Sequence, residues 1–420
     1  MNKVSLDTLV VCDIFISNSS GTKRFSIKGQ TLSLSIYEGI FQPLAKCEIV
    51  VQDALALAHD MPFIGEEILE VELRSGNTED SIKYTFHLHG MDNGWMDSNA
   101  KQQVYMLRGT SVEYVSDSMV SIQRSYFDTY SNMVKDITSK FLRSKKKVMA
   151  IDSKGAHRLS IPNINPLEAI DMIRQRAVSN LNPHSPFLFF ETSSGFYFTD
   201  IVSCFSAAKK VPIDRITRVY KHTTTDDVNQ LSGNAWNSII AMDVISKHDT
   251  TNKTHMGAFY NKMQKFNLLT KDFSVVETKL SDMKNKFEFV TEGQFNSDEF
   301  INKMSKQGQL NYFSIVDGTL PESHLDYVGQ KRSYSVLFFQ NIVEAEFHAD
   351  TTLEAGKVLY LKLNKTTGLT GSEEDSEDEQ QSGYYMISKL AYHIMLTNEP
   401  TMRVSCELVK GANKSIREGL

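Results

Sequence analysis

Between Phe25 and Leu73 the apolar residues recur at every second position: Phe25 and Ile27, then Leu32, Leu34 and Ile36, then Cys47, Ile49 and Val51. A period of two marks half-buried strands, whose successive side chains point to opposite faces of a sheet. Between these strands and the next, Ile68 to Leu73, stands a short Ala/Leu run, Ala54 to Ala58, ended by Met61-Pro62. The run is too short for a free helix and reads as a plug of one or two turns closing the end of a small barrel. No position here carries a reactive side chain in a reactive setting. The stretch builds a surface.

The pattern continues to about residue 115. Ile82, Tyr84, Phe86 and Leu88 alternate with Lys83, Thr85, His87 and His89; a loop runs from Gly90 to Asn99, and Val104 to Tyr114 follows. With MNKVSLDTLVVCDIF read as a first strand and not a signal peptide, roughly seven strands at this spacing predict a small barrel or sandwich. His87 and His89 point to one face, as a metal pair would. No third ligand is nearby, so solvated strand histidines are expected.

After residue 115 the period changes. Tyr126, Tyr130, Met133, Val134, Ile137 and Phe141 fall on one helix face. That helix ends in Lys140, Arg143 and Lys145-Lys146-Lys147, cations that suit the negative end of its dipole; the other use of such a run is a phosphate-contacting patch. Asn165-Pro166-Leu167-Glu168 announces a second helix, with a capping-box-like start and Leu167, Ile170, Ile173, Ala177 and Val178 on its buried face. PFLFFETSSGFYFTDIV then reads as a hairpin across Thr192-Ser193-Ser194-Gly195. Its aromatics (Phe187, Phe189, Phe190, Phe196, Tyr197, Phe198) are of the kind that stack on bases. Continuous apolar runs belong to cores, however, and a core is expected.

Beyond Ile213 the signal weakens. Ile239 to Ile245 is strand-like, Met256 to Phe273 is mixed, and 275–330 is polar and Lys/Glu-rich, with a helix expected after Ser297. Strand patterns resume at Tyr334 to Phe339 and Val343 to Phe347. A turn at Glu354-Ala355-Gly356 precedes the strand Val358 to Leu363, and Tyr384 to Met395 and Met402 to Leu408 complete a second all-β unit. In the last, Met402, Val404, Cys406 and Leu408 alternate with Arg403, Ser405 and Glu407. The loop Gly371 to Glu379 carries six carboxylates in the seven positions from Glu373. Such a run repels itself and is expected to be a disordered, solvated insertion, without the glycine and spacing of a calcium loop.

A chain of 420 residues allows two to four domains, and a net charge of −6 argues against a general nucleic-acid binder. Cys12, Cys47, Cys204 and Cys406 lack metal-type spacing. Three of them (Cys12, Cys47, Cys406) sit in apolar strand patterns and are expected to be buried free thiols in a reducing compartment. No apolar run approaches the ~18–20 residues that cross a bilayer. HExxH, GxSxG, P-loop and GxGxxG motifs are absent. Glu66-Glu67 are consecutive and point to opposite faces, and His157-Arg158 and His248-Asp249 have no recognisable nucleophile partner. No catalytic, metal or cofactor site is expected; an assembly part is.

Three stretches, in order, resemble the baseplate central hub proteins of contractile-tailed, T-even-type bacteriophages. The first is FSIKGQTLSLSIYEGIFQPLAKCEIVVQDALAL with PFIGEEILEVEL. The second is SKKKVMAIDSKGAHRLSIPNINPLEAIDMIRQRAVSNLNPHSPFLFFETSSGFYF, the most specific of the three. The third is GAFYNKMQKFNLLTKDF with NIVEAEFHADTTLEAGKVLYLKL and SGYYMISKLAYHIM.

The resemblance implies a mainly β fold with α+β inserts and two tail-tube-like β-barrels per chain. The expected division is a first barrel at 1–115, an α+β insert at 116–207, the start of a second barrel at 208–274 and a polar, partly helical insert at 275–330. The rest of the second barrel follows at 331–412 with a disordered acidic loop at 371–382, then a tail at 413–420. It also implies a homotrimeric, pseudo-six-fold ring joining the tail tube protein to the central spike protein and meeting wedge or other baseplate proteins. DNA and the tape-measure protein would pass its lumen without specific binding, which suits an acidic protein, since basic walls hold phosphates. The core is shared with the type VI secretion tip (valine-glycine repeat) protein. With no lysozyme domain or β-helical repeat visible, the spike is expected to be a separate chain. The expected location is the virion tail baseplate, after synthesis in the host cytoplasm. Two further expectations are a receptor-binding or adhesin tail protein, motivated by the aromatic hairpin, and a hub with cell-wall hydrolase activity.

Overall fold

The alternating N-terminal segment folds as seven antiparallel strands: β1 (Leu9–Ser17), β2 (Arg24–Ser26), β3 (Thr31–Gly39), β4 (Lys46–Asp53), β5 (Ile68–Ser75), β6 (Ile82–Asp97) and β7 (Gln102–Ser111). Their order is β3-β4-β7-β6-β5-β1-β2. These elements come from a computed structural model that describes residues 6–18, 23–54, 63–97, 102–220, 235–246, 249–287, 293–294, 297–306, 310–316, 324–363, 378, 381–397, 399–411 and 413–414. Leu34, Ile36, Cys47, Ile49 and Val51 point inward as the alternation requires. Phe25 is exposed and Leu32 only half-buried. Phe25 sits on the edge strand β2, exposed at every position; Leu32 follows a register shift between Thr31 and Ser33 opposite β4. The shift resets the alternation, and Thr31 takes the buried slot, where its hydroxyl donates to the Ile27 carbonyl at 2.9 Å. The expected Ala/Leu plug lies, apart from Ala54, outside the described residues.

The next layer holds α1 (Glu113–Met119), β8 (Ile122–Asp128), α2 (Tyr130–Lys140), β9 (Val148–Ala150), β10 (His157–Ile164), α3 (Pro166–Arg176), β11 (Phe187–Thr192), β12 (Gly195–Asp200) and α4 (Ile201–Ala208). Tyr126 lies on β8 and not on the helix. Thr129, in extended conformation, ends the strand and caps α2 by accepting from the Asn132 amide. Helix α3 starts at Pro166 as expected, but Asn165 makes no side-chain cap. The cap comes from α1, where Asp117 accepts from the Leu167 amide at 2.7 Å. The hairpin β11–β12 turns at Ser193-Ser194, and β11 is buried at every position because it separates two cores. Phe187 and Phe189 face α2 and α3, whereas Leu188 and Phe190 face the opposite cluster.

Then come α5 (Ile213–Ile216), β13 (Thr217–Tyr220), β14 (Ile239–Ser246), α6 (Thr250–His255), β15 (Tyr260–Asn267), β16 (Phe273–Lys279), α7 (Leu280–Met283), β17 (Gly293–Gln294), α8 (Asp298–Met304), β18 (Leu310–Val316) and α9 (Val328–Phe338). Helix α8 follows Ser297 as expected, capped by its hydroxyl. Strand β15 pairs antiparallel with β16 and parallel with β18, and α9 packs on this small sheet. Tyr334 to Phe338 is therefore helix, not strand. Tyr334, Leu337 and Phe338 are fully buried at a spacing of i, i+3 and i+4, which only a helix brings to one face.

The last strands are β19 (Asn341–Phe347), β20 (Val358–Leu363), β21 (Gly383–Met395), β22 (Thr401–Lys410) and β23 (Asn413–Lys414). Met402, Val404, Cys406 and Leu408 are buried, as the alternation predicts. In the turn before β20, Gly356 has φ +80°, and a Cβ there would stand 2.4 Å from the Phe190 ring; only glycine fits. The acidic loop lies outside the described residues except for Asp378, Gln381 and Ser382.

Strand β21 pairs with β3, so both halves belong to one thirteen-stranded sheet ordered β14-β19-β22-β21-β3-β4-β7-β6-β5-β1-β2, with β20 and β13 branching from β21. The inward residues of both halves form one hydrophobic core. The mainly β fold with α+β inserts is as expected. The two barrel-like halves are continuous with each other, and no closed barrel forms among the described residues. Strand β1 meets β22 only through an isolated bridge, Thr8 opposite Thr401, flanked by two backbone hydrogen bonds.

Leu34 and Ile49 face each other across β3 and β4 and are both inaccessible to solvent. Ile49→Asp should destabilise the protein by at least about 4 kcal/mol, because an unpaired carboxylate enters the core. Chemical denaturation followed by circular dichroism would read this; unchanged stability would mean that the other face is the buried one.

Candidate interaction surfaces

Buried polar groups fix how the inserts sit on the sheet. Lys146, expected in a solvated cationic run, turns inward instead. Its Nζ donates to Glu191 at 2.5 Å, to Glu113 at 2.8 Å and to the Ser111 hydroxyl at 2.7 Å. Glu191 also accepts from the Ala45 amide at 3.0 Å, and Glu113 accepts from the Ser144 hydroxyl at 2.6 Å. The cluster therefore ties β11 and the 144–147 segment to the edges of β4 and β7. Burial would lower the Lys146 ammonium, but Glu191 and Glu113 hold it above its ordinary value. Burial pushes the Glu191 carboxyl up. Burial also acts to raise Glu113, yet Lys146 and the hydroxyls of Ser111 and Ser144 keep it below the usual carboxylate range.

At the far end of β3, Glu38 is fully buried. One of its oxygens accepts from the Tyr84 hydroxyl at 2.7 Å and the Ser193 amide at 3.0 Å, and the other from the Ala355 amide at 3.0 Å. Glu354 accepts from the hydroxyls of Ser193 and Ser194 at 2.7 and 2.5 Å. The β11–β12 turn, the N-terminal half-sheet and the 354–356 turn thus meet on two carboxylates. A third junction is the buried pair Arg218–Asp350 at 2.7 Å, which anchors β13.

Exposed surfaces are of a different character. Strands β15, β16 and β18 turn an apolar face outward. Phe273 and Ile315 flank Phe266 in register, and Val275 and Phe313 flank Gln264. Phe313 is 63% exposed, and Leu268 and Leu269 extend the patch at the hairpin tip. Soluble monomers rarely leave such contiguous apolar area uncovered. Three strands of the large sheet have one strand partner each among the described residues, β14 on β19, β13 on β20 and β2 on β1, and an isolated bridge between Val219 and Ser238 links β13 to the start of β14. A cavity of about 640 Å3 lies between the hairpin, α4, α5 and the 352–359 turn, lined by Met149, Phe190, Tyr197, Cys204, Val211 and Ile216 among others.

Residues weighed as chemistry do not converge. His89 is exposed and lies 3.1 Å from the Thr110 hydroxyl, and no group of three potential metal ligands occurs among the described residues. The hairpin aromatics are core, with Tyr197 alone half-buried at the cavity wall. All four cysteines are free, Cys204 half-buried and the others buried. Burial pushes the Cys12 thiol up to about 11 and the Cys204 thiol up to about 12, which makes them poor nucleophiles. No helix among the described residues is long and apolar enough to cross a membrane.

No protein-family model and no curated protein matches the sequence. Solved structures do. A tail protein from Neisseria meningitidis MC58 superposes with a TM-score of 0.56 at 10% identity, covering 95% of this chain and 96% of that one. The 43 kDa tail protein of prophage MuSo2 from Shewanella oneidensis gives 0.53 at 10% identity, covering 96% and 97%. The chain has the tail-protein fold. The match runs nearly end to end, inserts included, so the resemblance drawn from the sequence is borne out at the level of fold.

Two predictions follow from the junctions of this tail-protein fold. Lys146→Ala should cost about 3 kcal/mol, since it leaves two buried carboxylates facing each other; the urea midpoint should fall accordingly, and an unchanged midpoint would show the cluster to be energetically idle. Burial and then Glu354 push the Glu38 carboxyl up to about 8, against the hydrogen bonds that favour its charge. The folded state therefore holds a proton that the unfolded chain has lost. Stability should fall as pH rises from the ordinary glutamate range to about 8, and Glu38→Gln should flatten that slope in pH-dependent denaturation.

Proposed function

We propose that the chain is the structural baseplate hub of a contractile phage tail. In this reading three copies close into a pseudo-six-fold ring that seats the tail tube on one side, holds the central spike on the other, and lets DNA and the tape-measure protein pass. The observation that carries it is the architecture: two barrel-like halves joined in one sheet, in a chain whose whole length takes the tail-protein fold. Three copies of two such halves give six similar units, matching a six-fold tube, and a cyclic trimer is a closed assembly. Strand β2, which pairs only with β1 among the described residues, has the kind of edge that subunit contacts cover. The apolar face of the β15–β16–β18 sheet suits a wedge or other baseplate protein.

The division at 1–115, 116–207, 208–274, 275–330, 331–412 and 413–420 belongs to the same proposal, as does a virion location in the tail baseplate. The role is structural and not enzymatic. The adhesin reading loses much of its motive, because the aromatics of the hairpin other than Tyr197 are buried. A hub with hydrolase activity would clear peptidoglycan when purified, which is not expected.

Light scattering on the purified protein, alone and with its spike, is the test. A mass of three copies is expected in at least the second case. A protein that stays monomeric with its spike present would overturn the proposal.

A further inference from the structure

The end of α3, the 154–157 loop and the short 3-10 turn His324–Tyr327 meet where the two inserts touch. Lys331 Nζ donates to the Ala177 carbonyl, which closes the end of α3. Lys154 Nζ lies 3.5 Å from the Tyr327 hydroxyl. The His157 imidazole stacks on Tyr130 with ring centres 4.6 Å apart, and its Nε2 is 2.8 Å from the Lys154 carbonyl. Arg176, the last residue of α3, lies close enough to Tyr130 and His324 for its charge to act on both.

Cations therefore gather with few anions among them. Burial first, and then its neighbours Arg176, Lys331 and His157, hold the His324 imidazole down at about 4, so that it is a neutral donor. Burial and then Arg174 bring the Lys331 ammonium down to about 8. The nearby carboxylates are engaged elsewhere, Asp326 by Lys265 and Asp171 by Arg174. Arg176 Nη1 is shielded from solvent and has no hydrogen-bond partner among the described residues. A helix C-terminus attracts cations, but its negative end is worth only about half a charge, and Lys331 already bonds the terminal carbonyl. A guanidinium N–H kept from water without an acceptor is costly. Filled by a planar or tetrahedral oxyanion, the same geometry becomes favourable, because guanidinium pairs with such groups through charge-assisted bonds.

We propose that Arg176, with Lys331, His157 and His324 around it, is a receptor for one oxyanion, of the phosphate or carboxylate type, that fastens the two inserts together. Thermal melting of the full-length protein in rising inorganic phosphate, and separately in acetate, tests this with ionic strength held constant by sodium chloride. The melting midpoint should rise by about 3 °C when the anion stands at about a hundred times its Kd. The rise should vanish in Arg176→Ala and persist in Arg24→Ala, a control on the large sheet. His324→Gln should weaken it. Phosphorus NMR line broadening of phosphate, lost in Arg176→Ala, gives a second readout that does not depend on stability. A response to acetate and not phosphate assigns the site to a carboxylate, such as an acidic side chain of a partner; a response to phosphate assigns it to that group. If neither anion raises the midpoint, or if Arg176→Ala responds as fully as the unaltered protein, the receptor does not exist.

Discussion

The pairing of β3 with β21 governs the molecule. Residues Ser33 to Gly39 lie against Lys389 to Met395 in an unbroken antiparallel register. Through that one seam the N-terminal strands and the C-terminal strands share a sheet, and their inward side chains share a core. Everything between them in sequence must leave the sheet and return to it. Both inserts are therefore excursions from a common platform, not domains strung on linkers, and each needs its own means of being held at a fixed angle.

That means is polar and buried, ionic at Lys146 and Arg218 and protonated at Glu38. Glu191 with Lys146, Glu38 with Tyr84 and Ser193, and Asp350 with Arg218 each place a carboxyl group at a boundary between an excursion and the sheet. A hydrophobic contact at such a boundary would tolerate sliding, because apolar burial is non-directional. A desolvated carboxyl group tolerates only the geometry that satisfies all its bonds. Hydrophobic clusters on both sides of β11 supply attraction, and the carboxyl groups select the orientation.

Much of this was legible in the sequence where one face of an element is buried and the other wet. Strands β3 to β5, β20 and β22, the start of α3 and the helix after Ser297 carry that contrast and stand where the pattern puts them; the β11–β12 hairpin is legible from its turn instead, since β11 is buried on both faces. The small sheet of β15, β16 and β18 was not. Phe273, Val275, Phe313 and Ile315 make its outer face apolar too, which erases the difference between faces on which periodicity depends. Helix α9 replaces the strand expected at Tyr334 to Phe339 because a six-residue aromatic window is too short to separate the two periods. Lys146 departs from expectation for another reason: its partners Glu113 and Glu191 lie 33 and 45 residues away, so no local pattern announces them. The cationic cluster around Arg176 has no local pattern either, since it assembles from two inserts.

The seam between β3 and β21 also sets an order of events during synthesis. Its two strands are separated by nearly the whole chain, with Leu34 meeting Ile394. At about 5–20 residues per second a ribosome needs on the order of tens of seconds to supply the second strand after the first. Throughout that interval β3 offers an open, strongly apolar edge, the kind that recruits other nascent chains. Long-range pairings of this sort are slow to form even once both strands exist. Expression at lowered temperature or alongside a holdase thus addresses a feature of the topology itself.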